Sequence, residues 1–392
     1  MKKLVILASL LALLPGVVSA QSNDSKESNL HVSFFPPLST NGRQAAEYTN
    51  KVSLSILAGV SRNERGTAWA GLANIVKNNA DGALFAGLYN GVGNRIRGAA
   101  FAGLINHSDS FTGAELAGLI NNAPGSNRGA QWAGLLNLSG DLAGAQFAGL
   151  SNITGNLRGA QFAGLFNVSG NLTGGSQWAG LANIAGNLTG GFQAAGVSNV
   201  AGNIHGLQLA GLFNVAGKMS GVQIAGLVNI AQSSDCSIAL INILGDGEMG
   251  IGIAYNEIGN LTATFRSGGR VVYGILGAGY NFQFDDGVPV LEGGFGARIH
   301  LSERFRINAE LKSAYLGEFK SDETYHQSLS LLPAFRITPR VEIFAGPSLN
   351  FMYSDNPELL DDFPSGTLWE KYGEKNIKQL HAGFSAGMYF RF

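Results

Sequence analysis

The chain has one cysteine, Cys236, so no internal disulfide can brace it, and that thiol reads as a small buried apolar side chain. Only 14% of its 392 residues are charged, and the formal net charge is −1. Such a composition offers no field to draw in nucleic acid, which is excluded as a partner. No apolar run is long enough to cross a bilayer as a helix. The run from Leu4 to Leu14 follows Lys2-Lys3 and leads into Val18-Ser19-Ala20, the pattern of a secretory leader cleaved after Ala20. The chain is therefore expected to be exported without being a disulfide scaffold.

Clusters that carry chemistry are also missing. His31, His107, His205, His300, His326 and His381 are scattered, with no His-x3-His spacing to suggest zinc. In the middle of the chain the acids Asp81, Asp109, Glu115, Asp141 and Asp235 recur at unmatched positions, so paired-carboxylate catalysis lacks its partners. The Gly-rich turns hold too few Asp for a calcium roll. Gly277-Ala278-Gly279 and Gly293-Gly294-Phe295-Gly296 lie within strand-like runs with no helix after them, so they are not phosphate loops. No catalytic, cofactor-binding or metal-ligating residue is assigned, and the reading is non-enzymatic.

What is abundant is glycine, 56 residues, placed periodically. Asn74, Asn90, Asn106, Asn121, Asn137, Asn152, Asn167, Asn183, Asn199, Asn214, Asn229 and Asn242 mark a repeat of 15 or 16 residues, shortening to 13 at the last step. A fixed short period of this kind is the signature of a stacked architecture. In each copy nine or ten residues alternate as strand, as in Gln161-Phe162-Ala163-Gly164-Leu165-Phe166-Asn167-Val168. The linking segments, such as Gly155-Asn156-Leu157-Arg158-Gly159, hold one apolar residue each, which a second short strand would bury. The expected fold is a β-solenoid of about twelve coils over 51–245, roughly 55 Å long at the spacing of paired strands. Invariance points Ala and Leu inward, with Asn stacked on Asn at a corner and Gln at an edge where exposure is more plausible. Residues 21–50, with Pro36-Pro37, read as an extended segment packing on the open end of the array. The first repeat, with Ala58-Gly59-Val60 and Arg62 in place of Asn, reads as a cap.

After residue 245 the pattern changes to strand-length alternating runs at 249–256, 261–266, 271–284, 288–301, 305–316, 326–338, 340–353 and 379–392. A polar loop is expected over 354–378. Eight such runs with aromatic residues near their ends predict an eight-stranded antiparallel barrel over 246–392, either lipid-embedded or soluble and packed on the solenoid.

The repeated Gln-x-Ala-Gly-Leu-x-Asn-Val units follow Phe35-Pro36-Pro37 and Thr40-Asn41-Gly42. They precede Ala345-Gly346-Pro347-Ser348-Leu349-Asn350. In these features the chain resembles bacterial surface-repeat proteins, and the resemblance covers nearly all of the mature chain. It implies a Gram-negative cell-envelope location, outer membrane or cell surface, with no assigned activity and no catalytic residue. The outward face of the repeats carries Trp69, Phe85, Phe101, Trp132, Phe147, Phe162 and Trp178, an apolar stripe longer than a lone soluble protein tolerates. It is the candidate surface for a protein or glycan partner, while outer-membrane lipid is the candidate partner of the C-terminal domain. The expected role is a structural or adhesive scaffold. The alternative is an outer-membrane pore in which the repeats themselves form barrel strands.

Overall fold

The computed structural model describes residues 26–283, 287–317, 324–355, 367–373 and 376–392. The leader expected at 1–20 lies outside them. Successive repeats pair in parallel, each residue against its counterpart one period away: Gln146 with Gln161, Phe147 with Phe162, Asn152 with Asn167. The result is a solenoid of about 13 turns. Parallel pairing within the stack excludes the arrangement in which the repeats run antiparallel around a wide lumen. The segment Lys26–Phe35 lies parallel to Tyr48–Ser55 and forms the first rung. Ala58 pairs with Ala73 and Gly59 with Asn74, so Gly59 and not Arg62 occupies the first Asn position. The irregular first copy had hidden that register.

Each repeat is bent where a continuous strand was expected. Leu157–Ala163 ends at a Gly164-Leu165 corner and Phe166–Thr173 begins after it. The corner breaks the period-two phase, and the inward direction expected for Leu fails with it. Leu165 points outward with 37% of its surface exposed, and Leu72, Leu88, Leu135 and Leu150 do likewise. Gln161 and its column, expected at an edge, are fully buried. The glycine of the corner is required by the stacking distance, because a Cβ on Gly164 would overlap the carbonyl oxygen of Gly149 on the coil before it.

The apolar core is the linker column, as its recurrence demands: Ile96, Phe111, Leu142, Leu157, Leu172, Leu188, Ile204 and Met219 are all buried. Burying a leucine of this kind stabilises by roughly 1.5–3 kcal/mol. Two amide ladders share the interior with it. Asn152 donates to Asn167 Oδ1 at 3.0 Å and to the Phe162 carbonyl at 2.8 Å. It accepts from Asn137 at 2.9 Å. This pattern runs from Asn74 to Asn242 and always donates toward the following coil. The Gln ladder donates the other way: Gln177 to Gln161 at 2.8 Å, Gln161 to Gln146 at 2.9 Å, Gln146 to Gln131 at 2.7 Å. Opposed amide rows satisfy groups that would each cost about 1–3 kcal/mol if buried without a partner.

Ala68, Leu84 and Ala100 precede Glu115 in the Gln column, so the Gln ladder stops there. Gln131 donates to Glu115 Oε2 at 2.8 Å and Ser108 Oγ to Oε1 at 2.9 Å. A carboxylate only accepts, which suits the terminal donor of the row. Burial nevertheless raises its pKa from 4.5 to about 7, because desolvation outweighs the two hydrogen bonds. Cys236, expected to be buried, is partly exposed, since it pairs with Val222 across an irregular register in the last full coil.

Eight strands then close an antiparallel barrel: Glu248–Asn256, Asn260–Gly268, Val272–Asn281, Val288–His300, Phe305–Leu316, Thr324–Arg336, Val341–Ser354 and Ile377–Arg391. The first pairs with the last, which completes the circle. One further strand, Thr367–Tyr372, pairs with the beginning of Ile377–Arg391, inside the stretch expected to be loop. The last solenoid coil is seated on the barrel. Asn242 N–H donates to Ser267 Oγ at 2.9 Å and its Nδ2 to the Ser267 carbonyl at 3.2 Å. Gly274 lies against the Ala239 and Leu240 carbonyls, where a Cβ would not fit.

Candidate binding groove and barrel interior

The seven aromatic residues singled out in the sequence lie in one outward column beside the Ala-Gly corner. Coil stacking sets their spacing, so the rings pile on one another. Trp69–Phe85 and Phe85–Phe101 centroids are 4.0 and 4.9 Å apart, and Trp132–Phe147, Phe147–Phe162 and Phe162–Trp178 are 5.4, 5.1 and 6.2 Å apart. Interplanar angles in these pairs do not exceed 15°. Leu116 interrupts the row between Phe101 and Trp132, and Ala194, Leu209 and Ile224 continue it beyond Trp178. The row forms one wall of a groove of about 1700 Å³ whose remaining lining is largely Ala and Gly of the corner, such as Ala148, Gly149 and Ala163. Within the runs Trp69 to Phe101 and Trp132 to Trp178 each ring covers the face of the next, and Trp178 meets Phe192 edge-on at 4.7 Å. Ring edges therefore front the groove, and flat ring faces are not offered to it.

The barrel has inverted polarity. Many inward residues of the strands are charged, and Arg266, Glu292, Arg298, Arg306, Glu310 and Lys312 are buried beside two apolar clusters, one around Val290, Leu316 and Met352 and one around Leu332, Phe344 and Tyr389. Alternate residues facing out are apolar and exposed, among them Ile251, Ile253, Leu291, Ile299, Leu311, Leu329 and Leu331. The inward charges pair across the lumen. Arg266 holds Glu310 through Nε at 3.0 Å and Nη2 at 3.2 Å, and Tyr273 Oη donates to the same carboxylate at 2.8 Å. Arg306 bridges Glu248 at 3.0 Å and Glu342 at 2.9 Å, and Lys312 reaches Glu292 at 3.3 Å. An eight-stranded barrel has an interior just wide enough for side chains, and here they fill it.

The histidines are scattered along the sequence, yet two of them meet. His326 and His381 face inward beside Glu257, which sits in the turn after Glu248–Asn256. His381 Nε2 lies 3.1 Å and His326 Nε2 3.7 Å from Glu257 Oε1. Asn350 Nδ2 donates to Glu257 Oε1 at 2.6 Å and the Phe384 N–H to Oε2 at 3.1 Å. No local spacing announces this group, because barrel closure joins residues 124 positions apart. The acids of the repeats behave otherwise. Asp141 caps a surface row of amides through Asn156, Asp235 bonds Ser220 and the Gly221 N–H, and Glu115 is enclosed.

No family model matches the chain, and no curated protein matches it. Among solved structures the chain is similar to one described as "De novo design of transmembrane beta-barrels", at 11% identity over 38% of this chain and 96% of that one, with a TM-score of 0.21.

Proposed function

We propose that the protein is a non-enzymatic envelope scaffold: the barrel sits in the outer membrane and carries the solenoid, whose groove holds an extended apolar chain. One observation carries the membrane assignment, the exposed apolar exterior around an interior that buries ion pairs. A soluble barrel hides apolar residues and wets charged ones, whereas a lipid-facing barrel does the opposite. Parallel stacking of the repeats argues against a pore built from them, and the ion pairs inside the eight-stranded barrel argue against a pore there. They suit an anchor instead.

Orientation follows from the connections. At the solenoid end they are 3 or 4 residues long, at 269–271, 301–304 and 337–340. At the opposite end 257–259 is equally short, but 282–287, 317–323 and 355–376 are longer. Outer-membrane barrels keep short turns in the periplasm and longer loops outside, which would place the solenoid in the periplasm. A periplasmic rod is a scaffold facing inward and not a cell-surface adhesin. Ring edges over an Ala-Gly floor fit an aliphatic chain better than the flat face of a sugar, which needs an open ring face to stack on.

The test is cell fractionation followed by labelling with a membrane-impermeant maleimide in a Cys236→Ser background. The chain should partition with outer membrane and run with heat-modifiable mobility. Phe282→Cys should label in intact cells, and Thr173→Cys only after the outer membrane is permeabilised. Recovery in the soluble fraction without detergent would overturn the anchor, and labelling of Thr173→Cys in intact cells would overturn the orientation. For the groove, a fluorescent apolar probe should bind, and Trp132→Ala with Trp178→Ala should weaken it. Equal binding by the variant would refute that assignment.

A further inference from the structure

We propose that Glu257, His326 and His381 form a binding site for a divalent transition-metal ion of the zinc class, inside the barrel at its long-loop end. The three ligand atoms all lie within 4.8 Å of one another, and all three residues are buried. Two ligands about 2.1 Å from a tetrahedral ion stand roughly 3.4 Å apart. The observed separations from Glu257 Oε1, 3.1 Å to His381 Nε2 and 3.7 Å to His326 Nε2, bracket that edge.

Hydrogen bonding within the chain leaves the group unfinished. Glu257 Oε1 already takes Asn350 Nδ2 and His381 Nε2. His326 Nε2 is only 3.7 Å away but has no hydrogen-bond partner, on a residue with 3% of its surface exposed. A buried imidazole nitrogen aimed at a carboxylate without bonding it is what a shared ion would satisfy. The carboxylate is also held from behind. The Phe384 N–H fixes Oε2, and Asn350, itself bonded to Ser348 Oγ at 3.0 Å, fixes Oε1. Supporting bonds of this kind orient metal ligands. Two imidazoles and one carboxylate favour zinc, copper, nickel or iron over calcium or magnesium, which take oxygen. Three protein ligands leave a fourth position for water or another donor.

The experiment uses the full chain, folded in detergent and stripped with chelator, titrated with zinc and separately with cobalt. One ion per chain should bind, and bound Co(II) should show the intense visible bands of tetrahedral coordination. His326→Gln and His381→Gln should each weaken binding by at least about 100-fold, and Asn350→Ala by about 10- to 100-fold. Heat-modifiable mobility of each variant reports whether the barrel has formed. His205→Gln, on the exposed surface of the solenoid, should change nothing. Absence of stoichiometric binding by the wild-type chain overturns the proposal. So does binding that survives both histidine substitutions, or that falls with His205→Gln instead, the mark of adventitious surface coordination.

Discussion

Replacing Glu115 by Gln tests the logic of the solenoid interior. Glu115 terminates the Gln ladder, and burial lifts its pKa from 4.5 to about 7. A carboxyl whose native pKa lies above its unfolded value binds more protons in the folded chain across that interval. Stability is then greatest below about pH 4.5, declines as pH rises, and has lost the whole contribution above about pH 7. A shift from 4.5 to about 7 corresponds to about 3 kcal/mol at 1.36 kcal/mol per unit. Glutamine keeps the shape, stays neutral and still accepts from Gln131 through its carbonyl, while Ser108 Oγ can take one of its amide hydrogens. Glu115→Gln should therefore be more stable than wild type at pH 8, by up to about 3 kcal/mol, and lose that advantage near pH 4.5. The assay is urea unfolding of the solenoid at several pH values, followed by the emission of Trp69, Trp132 and Trp178. Stacked repeats need not unfold in one step, so midpoints of matched transitions are compared. A variant with the same pH dependence as wild type between pH 5 and 8, or one less stable at pH 8, would refute the reasoning.

Three further outcomes follow from the geometry. Asn152→Ala should destabilise by about 3 kcal/mol, because Asn167 Oδ1 and the Phe162 carbonyl both lose their donor; the urea midpoint checks it. Gly164→Ala should destabilise by about 3 kcal/mol or more, since the new methyl meets the Gly149 carbonyl, whereas Gly174→Ala has open space around it and suffers only the strain of its positive φ. Comparing the two midpoints separates crowding from conformational strain. Arg266→Ala should lower barrel stability by about 3–5 kcal/mol by leaving Glu310 buried without its partner. The double variant with Glu310→Gln should recover part of that loss, read from the temperature at which the heat-modifiable band shifts.

Much of the architecture was legible because the chain repeats itself. An Asn every 15 or 16 residues can stack only if the units do, and an apolar residue in every linker must have something to bury against. The barrel strands were legible from alternation, with bounds close to those observed. The direction of the Ala-Gly-Leu leucine was not. Its parity with Asn implies a shared face only along an unbroken strand, and the Gly164-Leu165 corner resets the phase. Thr367–Tyr372 was missed because its six residues show no clean alternation and sit in a stretch rich in charged residues, and its order comes from pairing with Ile377–Arg391.

By itself, then, the sequence determined the stacking period, the buried linker column, the Asn ladder and the alternation of the barrel strands, since each is a local pattern repeated in place. Tertiary structure alone decided three things: that aromatic rings cover one another's faces, that barrel charges pair across the lumen, and that His326, His381 and Glu257 converge. Each depends on distances between residues far apart in the chain, and those distances exist only once the coils have stacked and the barrel has closed.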